Sequence, residues 1–114
     1  MEQSIFTKII NGDIPCHKVY EDGATIAFLD IHPTQPGHTL VVPKVQVDHF
    51  DDLLDSDYIA IWQTVKKVAK AQKKVFGKTR VGVKVIGLDV PHAHVHVLPI
   101  DSLEDYKAYT DMNK

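Results

Sequence analysis

Apolar residues recur at two spacings along this chain, and the changes of spacing mark its elements. Ile5, Phe6, Ile9 and Ile10 fall at helical intervals behind Ser4, a good capping residue, and Asn11-Gly12 stops the run. A short opening helix over residues 4–11 is predicted. Ile14-Pro15 then leads into an extended segment, 18–21. Asp22-Gly23 is a hairpin signal, and 25–29 (Thr-Ile-Ala-Phe-Leu) is the returning strand. Two prolines and a glycine make 30–37 a loop, and 38–43 reads as a third strand apolar enough to be central. The longest element is a helix over about 57–76, capped by Asp55 or Ser56. Its apolar stripe is Tyr58, Ile61, Trp62, Val65, Val68, Ala69, Val75 and Phe76, with Gly77 as the stop. Residues 80–86 alternate, with Val81, Val83 and Val85 on one side and Gly82 and Lys84 on the other. A tight connection, 87–90, precedes a last strand over 92–98. Asp101-Ser102-Leu103-Glu104 has the letters of a capping box opening a tail helix.

This order predicts an α+β fold: about five antiparallel strands, with the long helix on one face. The other face is expected to stay open, so that an exposed sheet edge invites a second copy and extends the sheet by dimerisation. The 114 residues make one domain, 1–114, with its core in about 4–100 and a tail in 101–114. Hydrophobic residues at 44% and charged residues at 25% fit a globular protein. A net charge of −2 with no basic run argues against a nucleic-acid platform, and the lysines at 66, 67, 70, 73 and 74 read as the solvated face of the long helix. One cysteine, Cys16, excludes an internal disulfide and is read as structural; no stretch has the length of a membrane span or the form of a signal peptide. A cytoplasmic location is expected.

The candidate chemistry lies in 91–99, Pro-His-Ala-His-Val-His-Val-Leu-Pro. In an extended strand His92, His94 and His96 share one face, about 6–7 Å apart along it, while Ala93, Val95 and Val97 point into a core. A helix would not face positions i and i+2 together. Three imidazoles in a row can act as nucleophile and acid/base groups on phosphoryl compounds, can hold a transition metal, or can be inert hydrogen-bonded rings.

The heptad His-Ala-His-Val-His-Val-Leu at 92–98 resembles the His-φ-His-φ-His-φ-φ motif of the histidine-triad (HIT) superfamily. Residues 5–15, 27–31 and 37–44 are similar to that family's opening helix and its second and third strands, so the likeness runs from about 4 to 100 in order. The resemblance implies binding of a purine nucleotide, AMP or GMP, and attack on its α-phosphate by His94 to give a covalent nucleotidyl-histidine. It implies that His96 contacts the phosphate oxygens, while His92 and His38 set ring orientation and tautomer. Asp30 would hold the ribose hydroxyls, and Ile5, Phe6, Ile14, Phe28 and Ile31 would wall the base. A nucleoside phosphoramidate or a dinucleoside polyphosphate is the expected substrate, with no cofactor. The rival readings are a metal-binding His-x-His-x-His module and a nucleotide-binding protein without turnover.

Departures from the family pattern bear on both rivals. Leu88 and Asp89 stand where many relatives carry an amide and a hydroxyl; Asp89 there repels phosphate, acts as a general acid, or caps the turn at Gly87. Some relatives hold zinc with Cys-x-x-Cys in the opening helix plus histidines; here those positions read Ser4, Thr7 and Gln46, without thiolates, and no metal is expected. His17, His32 and His49 read as surface residues, with His32 near enough to Asp30 to line a pocket.

Overall fold

A computed structural model describes residues 2–111; of the tail, residues 112–114 lie outside the described part. The elements are α1 (Ile5–Ile10), β1 (Lys18–Glu21), β2 (Thr25–Leu29), β3 (Thr39–Pro43), α2 (Asp55–Phe76), β4 (Arg80–Lys84), β5 (Val95–Ile100) and α3 (Leu103–Asp111). The five strands form one antiparallel sheet in the order β1-β2-β3-β5-β4. This is the α+β arrangement expected, and among the described residues no helix is long and apolar enough to cross a membrane.

The alternation read from the sequence sorts the sheet into two faces. Ala27, Val41, Val95 and Val97 pack with Ile61, Val65 and Val68 of α2. The opposite face carries Ile26, Phe28, Leu40 and Val42, closed over by Phe6 of α1. It is therefore not the open face anticipated. Opening-helix residues cover one end of it. Tyr106 of α3 covers the other, where its ring lies so close to Gly82 that a Cβ there would sit 2.6 Å from Cδ1. Lys84, on the same face, is buried and donates to the Tyr106 carbonyl, with its ammonium 4.1 Å from the ring centre. The edges are β1, bulged between Lys18 and Tyr20, and β4.

Several boundaries move for local reasons. The long helix starts at Asp55, not 57, and its cap is Leu54 without a side-chain bond; Asp55 and Asp57 instead complement the helix dipole from the first turn. Its stripe is not wholly apolar, because Thr64 and Gln72 are buried while Val75 is exposed. Thr64 Oγ1 meets Thr25 Oγ1 at 2.6 Å, and Gln72 Nε2 donates to Gly37 O, Thr39 Oγ1 and Val97 O. The fourth strand ends at Lys84 instead of 86. The tail's capping box is Ser102 with Asp105, not Asp101 with Glu104: Asp105 N–H donates to Ser102 Oγ, and Asp105 Oδ2 accepts from the Asp101 and Ser102 N–H groups. The last strand begins at Val95, not His92, because His92 N–H turns back to Val90 O and Ala93 N–H leaves the ladder for Val47 O.

Candidate active site

Alternation survives that late start: Ala93, Val95 and Val97 enter the α2 core, and the three imidazoles turn the other way. All three are no more than 1% exposed, and the His94 and His96 ring centres are 5.0 Å apart. Phe6 meets His94 edge-on at 5.0 Å and His92 at 5.7 Å, so α1 is packed directly on the row. His38, one residue before β3, completes the group, because β3 pairs with β5.

Hydrogen bonds assign each proton. His92 Nε2–H donates to Pro43 O at 2.8 Å, and Nδ1 accepts from Ser4 Oγ–H at 2.7 Å. His94 Nδ1–H donates to His92 O at 2.8 Å. In the neutral ring that bond fixes the tautomer and leaves the lone pair on Nε2. That nitrogen is buried and has no hydrogen-bond partner among the described residues; its neighbour is Asp89 Oδ1 at 3.4 Å. Thr34 N–H donates to His38 Nδ1 at 3.2 Å, so His38 Nε2–H points to His96 Nδ1 at 3.0 Å and the His96 proton resides on Nε2.

Burial favours the neutral form of His38, His92 and His96. Desolvation, with a smaller repulsion from Lys84, pushes His38 down to about 4. His96 is likewise lowered to about 4, mainly by desolvation and then by His94 and His38, against an opposing pull from Asp30 and Asp89. His92 is lowered by desolvation, with the Pro43 carbonyl opposing.

A cleft opens beside the row. Of the residues expected around a base, Ile5, Phe6, Phe28 and Ile31 line it, together with Asp30 and Asp89. Ile14 does not; it lies half-buried beyond α1, its N–H on Lys8 O, and the chain turns so that Pro15 and Cys16 form that wall instead. Ile9, Leu40, Val90 and His32 also line the cleft, and Cys16, read as structural from the sequence, borders it with a free thiol. Helical spacing places Ile9 on the same side as Ile5 and Phe6, a signal that was legible. Asp30 leaves β2 with its N–H on His38 O; Oδ1 takes the His32 N–H, and Oδ2 lies 3.5 Å from His38 Nε2 and 4.0 Å from His96 Nδ1.

Asp30, His38 and His96 could by distance alone surround one metal ion. Their donor pattern argues otherwise. Thr34 N–H makes His38 Nδ1 an acceptor, which puts a proton on Nε2, the nitrogen a metal would need. The positions at which some relatives carry zinc ligands also converge, but as a hydrogen-bonded cluster: Gln46 Oε1 accepts from Thr7 Oγ1 at 2.6 Å and from Ser4 N–H at 2.8 Å.

The cleft can therefore take an apolar flat group between Phe6, Phe28 and Ile31 and a vicinal diol at Asp30, and it reaches His94 through Asp89; His94 itself lines a second pocket, with His49, Phe50, Ile86 and Gly87. Known proteins resemble this chain in sequence and in fold. Residues 11–103 match the HIT domain family. An uncharacterised HIT-like protein of Methanocaldococcus jannaschii is 42% identical over 99 residues, 83% of this chain and 77% of its own. The adenosine 5'-monophosphoramidase of Schizosaccharomyces pombe is 40% identical over 96 residues, 83% of this chain and 72% of its own. A crystal structure of a HIT family protein from Bacillus anthracis superposes with a TM-score of 0.85 at 38% identity, covering 91% of this chain and 77% of that one. On its sequence, its fold and its row of imidazoles, the chain belongs to the histidine-triad (HIT) family.

Proposed function

We propose that the protein is a purine nucleotide hydrolase or transferase that acts at the α-phosphate of a nucleoside phosphoramidate or dinucleoside polyphosphate through a nucleotidyl-His94. The observation that carries this reading is His94 Nε2, a buried ring nitrogen with no hydrogen-bond partner among the described residues. In the first step Nε2 forms a bond to phosphorus as the bond to the leaving group breaks, and an amine leaving group takes up a proton from solvent as it departs. Positive charge then develops on the imidazole, and the His92 carbonyl at 2.8 Å from Nδ1 stabilises it without reorganising. Water next attacks phosphorus, loses its proton and expels neutral His94. His96 Nε2–H is the donor for a phosphate oxygen, and Asp30 accepts from the ribose hydroxyls. The yeast relative's name, adenosine 5'-monophosphoramidase, supports an AMP amide as the first substrate to try. A homodimer joined along the β4 edge fits this reading, because β4 pairs on one side only.

The test is turnover of adenosine 5'-phosphoramidate with mass spectrometry of the quenched enzyme. The wild type should release AMP and show a nucleotidyl mass on the peptide containing His94; His94→Ala should do neither while keeping its circular dichroism. Wild-type activity in His94→Ala would refute the reading. One observation favours binding without turnover: Asp89 Oδ1, 3.4 Å from Nε2, opposes an incoming phosphate. AMP binding by calorimetry with no amide hydrolysis would decide for it.

A further inference from the structure

The reactive nitrogen is held at one remove, by the peptide between His92 and Ala93. That peptide is planar, so its carbonyl and its N–H point in opposite directions. The carbonyl takes the His94 Nδ1–H at 2.8 Å, and the N–H donates to Val47 O at 2.7 Å. The His92 ring on the same residue is fixed at both nitrogens, by Pro43 O and by Ser4 Oγ. Ser4 is itself buried and shared: its oxygen also accepts the Thr7 N–H at 3.0 Å as the cap of α1. Gln46, the neighbour of Val47, closes the group. Its Oε1 accepts from Ser4 N–H and Thr7 Oγ1, and its Nε2 donates to Glu2 O at 2.8 Å.

We propose that Ser4, Thr7 and Gln46 form a brace that positions His92, and through its carbonyl the His94 nitrogen, so that the cap of α1 is a working part of the nucleophile's mounting. None of the three touches the cleft; each is a positioning residue. The donor set explains why the brace works without an ion. Two hydroxyls and an amide oxygen bond one another and present Ser4 Oγ–H to His92 Nδ1 at 2.7 Å, with Thr7 Oγ1 a longer contact at 3.5 Å, whereas thiolates would repel one another unless a cation lay between them. One dipeptide, Gln46-Val47, serves both ends of the device, the ring through Ser4 and the peptide through Val47 O.

This inference rests on His94 as the nucleophile, so its test has one readout independent of turnover. Long-range proton–nitrogen spectra of the histidine rings give the tautomers of His92 and His94 in the unliganded protein. In Ser4→Ala the His92 pattern should become mixed and the His94 ring signals should broaden or shift; Ser4→Thr, which keeps the hydroxyl, should restore both. With adenosine 5'-phosphoramidate, Ser4→Ala should lower kcat about tenfold or more with KM within about twofold of wild type, and Ser4→Thr should recover most of kcat. Should Ser4→Ala not fold, Gln46→Leu leaves the cap in place and should give the same split in weaker form. Unchanged ring spectra, or a fall in melting temperature alone with kcat intact, would overturn the brace and reduce Ser4 to a helix cap. If ring spectra change while even the wild type lacks turnover, the brace stands and the proposed reaction falls.

Discussion

Asp89 places a carboxylate oxygen 3.4 Å from Nε2 of His94, a buried nitrogen with no hydrogen-bond partner among the described residues. The same carboxylate lines the cleft. An anion so placed stabilises a cationic nucleotidyl-imidazole but opposes the arrival of phosphate. The Asp89 side chain is 58% exposed, so solvent weakens both effects. Asp89→Asn should tighten AMP binding by about threefold to tenfold at low salt and by less at high salt. Binding of adenosine, which lacks the phosphate, should be unchanged. Calorimetry with both ligands checks this, and an equal gain for adenosine would mean a packing effect instead.

Neutral buried imidazoles make the fold sensitive to acid. His38 and His96 titrate near 4 in the native state, against 6.5 for the ordinary group. Between those values the unfolded chain binds more protons than the folded one, so stability rises with pH. It is complete above about 6.5 and drains away as pH falls towards 4, by up to about 1.4 kcal/mol per pH unit for each ring. Urea midpoints at pH 7, 5.5 and 4.5 should fall in that order. A His96→Asn variant should show a shallower slope than wild type; an unchanged slope would assign the acid sensitivity elsewhere.

The sheet, the long helix and the two-faced histidine stretch were legible because side-chain alternation depends only on backbone geometry. Ala93, Val95 and Val97 had to oppose the imidazoles in any extended conformation. What stayed hidden depended on tertiary partners. Gln72 and Thr64 look like polar interruptions of a stripe until β3, β5 and Thr25 are seen to satisfy them. The covered histidine face followed from α1 and Tyr106 folding back, which no periodicity records. Ile14 and Cys16 exchanged roles because the turn after α1 decides which side chain reaches the cleft, and Gly12, at φ 82°, shapes that turn.

Asp30, His38 and His96 bring three possible ligand atoms together, yet the Thr34 N–H commits His38 Nε2 to carrying a proton. Purified protein dialysed against zinc should therefore retain less than stoichiometric metal, and a chelator should leave turnover unchanged. Removing the competing donor is possible in principle with Thr34→Pro, since proline has no N–H. If that variant folds, its zinc affinity should exceed the wild type's. Tight, stoichiometric zinc in the wild type would reverse the tautomer assignment at His38.

Gln72 ties α2 to the turn and strand that flank His38 and to β5, which carries His96, and it does so with one nitrogen. Nε2 lies 2.8 Å from Gly37 O, 3.2 Å from Thr39 Oγ1 and 2.9 Å from Val97 O, so two protons serve three acceptors in a buried site. Its Oε1 has no partner among the described residues. These features act in opposite directions on substitution. Gln72→Leu relieves the orphaned oxygen but strips donors from the buried acceptors, and the second effect is larger because more groups are left unsatisfied. A net loss of about 1–3 kcal/mol is expected. Gln72→Glu should lose more, because a carboxylate has no proton to offer and is itself desolvated. The order wild type, Leu, Glu in urea midpoint checks the argument, and a Glu variant as stable as wild type would show that a carboxyl proton had taken over the donor's place.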